Sequence, residues 1–74
     1  MTVEVPKCLT RVCARLNDII QANPNVFGPH ALLYRSGNVV IWRPTRDVPP
    51  RSLTEFDTRA WLAAALGGSL TPPP

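Results

Sequence analysis

With 74 residues, 45% of them apolar, and eight basic against five acidic side chains for a net charge of +3, the chain reads as one small folded domain. A chain of this length buries only roughly 60% of its unfolded surface, and its apolar share excludes wholesale disorder. The basic excess lies within what keeps a small domain in solution, so it permits a nucleic-acid partner without arguing for one.

Residues 1–5 read as an extended lead-in, and Pro6 suits the first turn of a helix, where its missing N–H is not needed. From Lys7 to about Ala22, Leu9, Val12, Cys13, Leu16, Ile19 and Ile20 recur at the 3-and-4 spacing that gathers them within an arc of about 120°. Lys7, Arg11, Arg15, Asp18 and Gln21 fall on the other side, so the segment is an amphipathic helix with one face for a core. The N-terminus lacks the order of a secretory signal, and no run approaches the roughly 20 apolar residues of a membrane span. The expectation is a cytoplasmic protein with no membrane partner. Cys8 and Cys13 agree with a reducing setting, because five helical residues separate them by about 7.5 Å of rise, beyond disulfide reach. Both are expected to act as small core hydrophobes. With His30 the single histidine, no metal site and no cofactor are expected.

Asn23-Pro24-Asn25 ends the helix, since a residue before proline is pushed out of the α region. Val26-Phe27-Gly28-Pro29 then forms an apolar bridge, with Phe27 tucked beneath the neighbouring segment. His30 to Pro44 is the strongest structural pattern in the chain: two runs rich in aliphatic, β-branched and aromatic residues flank Gly37-Asn38, the makings of a β-hairpin. A two-residue loop there, with glycine first as a type II′ turn asks, sets Tyr34 opposite Ile41 and Leu32 opposite Arg43. Leu33 then faces Trp42, and Arg35 faces Val40, on the other side. A three-residue loop would put Tyr34, Val40, Leu32 and Trp42 on one side instead, because a slip of one residue exchanges the faces. Both faces are largely apolar in either register.

Thr45 to Arg51 holds two prolines and reads as a connection. Beyond it two readings compete. Ser52-Leu53-Thr54-Glu55 fits a capping box opening a helix to Leu66; alternatively Ser52 to Phe56 is a third strand and Asp57 caps a helix from Thr58 to about Leu66. The strand is preferred, because Leu53 and Phe56 fall off the stripe made by Trp61, Leu62, Ala65 and Leu66. Gly67-Gly68 stops the helix. The fold class is therefore α+β: a helix, an antiparallel hairpin or three-stranded meander, and a helix, with residues 1–70 as one domain and 71–74 as a flexible proline tail.

The raw material for catalysis is thin. His30 stands between strand-entry residues, Glu55 and Asp57 are accounted for by capping and solvation, and Gly67-Gly68 lies at the wrong helix end to hold an anion. The expectation is a protein that binds rather than catalyses, with no small-molecule substrate. Arg35, Arg43, Arg46, Arg51 and Arg59, with Tyr34 and Trp42 among them, are the equipment for holding phosphates and stacking bases. The order helix, three strands, helix resembles the double-stranded-RNA-binding domain in topology, with Asp57-Thr58-Arg59-Ala60 where that family has a lysine-rich start to its last helix. Phe56 to Leu62 is similar to the strand-to-helix junction of phage integrase arm-binding domains. Nucleic-acid binding is the alternative reading. The leading one is protein binding, to a partner or to a second copy, in a small adaptor, inhibitor or assembly component. Between Thr58 and Leu66 the last helix carries a single charge, and Ala60, Ala63 and Ala64 stand where a solvated helix is usually polar. Tyr34, Trp42 and Trp61 are the expected anchors of that surface.

Overall fold

The computed structural model describes residues 5–72; the outer parts of the expected lead-in and proline tail, residues 1–4 and 73–74, lie outside it. Helix α1 runs from Leu9 to Ala22, a single helical turn α2 from Pro24 to Phe27, strands β1, β2 and β3 over Leu32–Ser36, Val39–Arg43 and Arg51–Leu53, and helix α3 from Glu55 to Leu66. The strands form one antiparallel sheet in the order β1-β2-β3. This is the expected α+β order, with the three-stranded meander realised.

Helix α1 turns the expected arc inward: Val12, Cys13, Leu16 and Ile20 are buried, with Leu9 and Ile19 partly so. It starts two residues later than the pattern suggests, with Pro6 ahead of it and Cys8 as an extended N-cap. Asn23 ends it by donating from its side-chain Nδ2 to the Ile19 carbonyl at 2.7 Å. Within the expected apolar bridge the chain coils once more, because Pro24 takes the first helical position, where its lost N–H costs nothing. That turn carries Phe27 into the core.

The hairpin adopts the two-residue loop. Leu32 pairs with Arg43, Leu33 with Trp42, Tyr34 with Ile41, Arg35 with Val40 and Ser36 with Val39. Gly37 has φ +62° and Asn38 a negative φ, the sign pattern of a type II′ turn. In this register Leu33, Val40 and Trp42 face the helices and are buried, while Tyr34 and Val39 on the opposite face are exposed. The outward N–H of Leu33, on the free edge of β1, donates to the Asn17 Oδ1 at 3.3 Å, so α1 covers that edge as well as the face.

The segment after the connection settles between the two sequence readings. The strand is shorter than Ser52–Phe56 and ends at Leu53, and the cap is neither Ser52 nor Asp57 but Thr54, whose Oγ1 accepts the Asp57 N–H at 3.0 Å. Glu55, Phe56 and Asp57 therefore form the first turn of α3, with two carboxylates at its positive end. At the other end the Ser69 N–H reaches the Ala64 carbonyl and the Gly68 N–H that of Ala65, a Schellman closure that needs the φ of +99° at Gly68. The buried side of α3 is Thr58, Trp61, Leu62 and Ala65, with the Thr58 hydroxyl satisfied by the Thr54 carbonyl at 2.8 Å.

Both helices lie on one face of the sheet: α1 packs on β1 and α3, and α3 reaches β2. Trp61 joins the layers, meeting Trp42 edge-to-face at 5.2 Å and Phe27 at 5.9 Å. Its Nε1–H donates to the Thr71 carbonyl at 2.8 Å, drawing the C-terminal segment back over α3. Trp61→Ala is expected to cost about 3–5 kcal/mol, enough to unfold much of a domain this small, and Thr54→Ala about 1 kcal/mol. Urea denaturation followed by circular dichroism measures both, and a Trp61→Ala protein as stable as the parent would contradict this core.

Candidate interaction surfaces

The packing of α3 fixes what it shows to solvent. With Thr58, Trp61, Leu62 and Ala65 turned inward, Phe56, Ala60, Ala63, Ala64 and Gly67 fall within an arc of about 100° on the opposite side, and all five are exposed. Phe56 is 79% exposed, the most open large apolar side chain among the described residues. No charge lies inside this arc; Asp57 and Arg59 flank it. Of the residues proposed from sequence for protein contact, Ala60, Ala63 and Ala64 thus share one surface. Tyr34, 44% exposed, sits on the bare face of the sheet with Val39. Trp42 and Trp61 are 4% and 6% exposed and belong to the core. Phe56 is the surface residue that the sequence pattern alone did not single out. It is nevertheless in phase with Ala60, Ala63 and Gly67 at helical spacing.

The five arginines separate by what holds them. Arg59 is tied down: its Nε donates to the Glu55 carboxylate at 3.0 Å, its Nη1 to the Pro6 carbonyl and its Nη2 to the Lys7 carbonyl, fastening the segment before α1 onto α3. Arg35 donates from Nε to the Gly37 carbonyl at 2.6 Å and from Nη1 to the Thr10 hydroxyl at 2.7 Å, linking the hairpin turn to α1. Arg51 lies on β3 beside Trp42 and Pro49. Arg43 and Arg46 adjoin a shared pocket with Gln21, Gly28 and His30. The structure therefore brings Arg43 and Arg46 to one pocket and ties Arg35 and Arg59 into internal hydrogen bonds.

Only one of the two cysteines is a core residue. Cys13 is buried, and burial pushes its thiol pKa up, whereas Cys8 is exposed because helix α1 begins one residue after it and leaves it off the buried arc. Both are free. The backbone N–H groups of Arg11 and Thr10, at the open end of α1, favour the Cys8 thiolate and lower its pKa. Among the described residues no group of three or more His, Cys, Asp and Glu side chains is placed to hold a metal ion, and no helix is long and apolar enough to cross a membrane.

Compared with protein families, curated proteins and solved structures, the chain matches none.

The two thiols give a direct check on this geometry. Native protein should take up a single iodoacetamide, at Cys8, with a rate that rises at lower pH than for an ordinary cysteine, and a second only on unfolding. Peptide mass mapping reads the site, and rapid native labelling of Cys13 would contradict the placement of α1.

Proposed function

We propose that this chain is a small non-catalytic protein-interaction domain that pairs with a second copy of itself through the outer face of α3. The observation that carries the reading is the 79% exposure of Phe56 at the head of an uncharged stripe of Ala60, Ala63, Ala64 and Gly67. An aromatic ring held in water beside small side chains is an anchor without a pocket, and the small side chains are a surface that lets another backbone come close. A two-fold axis across an antiparallel pair of α3 helices resolves both. The stripe is centred between Ala60 and Ala63, so Phe56 of one protomer lies over Ala64 and Gly67 of the other, and the contact repeats by symmetry. Large meets small on both sides.

Nucleic-acid binding has less support. Arg35 and Arg59 are engaged in internal hydrogen bonds, and Arg43 and Arg46 border a pocket rather than a stripe along which a backbone would run.

Sedimentation equilibrium tests the reading. The parent should dimerise, with a melting temperature that rises with concentration by mass action. Ala63→Glu should be monomeric. Phe56→Ser should weaken association by about a hundredfold or more, since the symmetric contact buries two phenylalanines at roughly 1.5–3 kcal/mol each. Both variants should keep the parent's circular dichroism, since neither residue touches the core. A parent that stays monomeric at high concentration overturns the proposal.

A further inference from the structure

Where the end of α1 and the turn α2 meet the end of β2 there is a pocket of about 310 Å³, bordered by Gln21, Gly28, His30, Leu32, Arg43 and Arg46. The loop after α2 passes close to the segment leaving β2. Gly28, at φ +100°, lies so near Pro44 that an added Cβ would sit 3.6 Å from its carbonyl oxygen. This approach sets His30 beside Arg43 at the end of β2 and Arg46 in the loop after it. No acidic residue borders the pocket, and among the described residues neither Arg43 nor Arg46 has a carboxylate within ion-pair distance.

The polar accounting is incomplete at one atom. The Nε of Arg43 is shut off from solvent and has no acceptor. A donor on a charged group left in that condition is costly, and a buried one without a partner asks for an explanation such as an absent ion. Arg59 and Arg35, by contrast, both spend their Nε on oxygen acceptors. Arg43 itself borders the pocket, so an oxyanion bound there would lie against the guanidinium that carries this unpartnered donor.

We propose that this pocket is a binding site for a phosphomonoester, its phosphate held between Arg43 and Arg46 with His30 and Gln21 as further donors. Two permanent positive charges match a phosphate dianion better than a carboxylate. Donors arriving from α1, the loop after α2, β2 and the loop after it suit a tetrahedral group rather than a planar one. The volume is at the small end of ligand pockets and suits a single phosphorylated small molecule, not a run of nucleic-acid backbone. The site lies away from the outer face of α3 and does not depend on self-association.

Amide chemical shifts of the labelled protein test it, in titrations with inorganic phosphate, a nucleoside 5′-monophosphate, acetate and an unphosphorylated oligonucleotide at constant ionic strength. Phosphate and the monophosphate should move the signals of Gly28, His30, Ala31, Leu32, Arg43 and Arg46 saturably, and bind at least about tenfold more tightly than acetate, as expected for charge-assisted bonds from two arginines. Tighter binding of the monophosphate than of inorganic phosphate identifies the ester as the ligand; equal binding identifies the free ion and overturns the phosphomonoester assignment. R46Q, an exposed loop substitution, should lower the affinity by about tenfold or more with an unchanged spectrum elsewhere. R43M should abolish binding yet melt no lower than the parent in anion-free buffer, because it removes an unpartnered buried donor. Shifts that chloride reproduces, unaltered binding by R46Q, or an oligonucleotide that outcompetes the monophosphate would each overturn the proposal.

Discussion

The edge-to-face contact of Trp42 with Trp61 is the constraint on which the rest of this structure depends. Trp42 is directed to the inner face of the sheet by the hairpin register, which sets it opposite Leu33. Trp61 is brought to meet it by the phase of α3, and Phe27 closes the group from α2. Such ring pairs add about 0.5–1.5 kcal/mol each to the apolar area they bury. Their larger effect is geometric. Once Trp61 is fixed inward, the rotation of α3 about its axis is fixed, and Phe56, roughly half a turn away, has nowhere to go but out.

The same contact decides which surfaces remain bare. Two helices on one side of three strands make a two-layer domain, so the second face of the sheet keeps Tyr34 and Val39 in water. The outer face of α3 is a further exposed apolar region. They differ in kind: the sheet face is bordered by Arg43, while the helix face has small side chains around one large ring and no charge within it. Arginine placement obeys a parallel logic. Arg59 and Arg35 lie where backbone carbonyls come within reach and serve as internal ties. Arg43 and Arg46 lie where the end of β2 and its following loop meet the loop after α2, and the Arg43 Nε there has no acceptor.

Much of the fold is legible in the residues because it rests on local rules. Glycine ahead of asparagine selects a type II′ turn, and the turn alone sets the register of five residue pairs. The 3-and-4 spacing of Leu9 to Ile20 identifies the inner side of α1, and Trp61, Leu62 and Ala65 that of α3. The start of α3 is less legible, because an apolar residue off the stripe reads as evidence against a helix. Phe56 falls off the stripe because it is a helical residue facing outward, and the true cap, Thr54, sits in the same Thr-x-x-Asp spacing that normally marks a helix start. Cys8 looks like a core residue only while Lys7 is taken into α1. The choice of one sheet face for both helices is beyond local reasoning, since both faces of the hairpin are apolar. Burial of the tryptophans results from that choice, which turns expected surface anchors into the centre of the core.

The central claim is that the tryptophan core turns Phe56 outward to meet a second copy of α3, and isotope-filtered NMR on a mixture of labelled and unlabelled protein addresses it most directly. The account predicts intermolecular contacts from the Phe56 ring to Ala64 and Gly67. Intermolecular contacts confined to Tyr34 and Val39, or none in a concentrated sample, would contradict it.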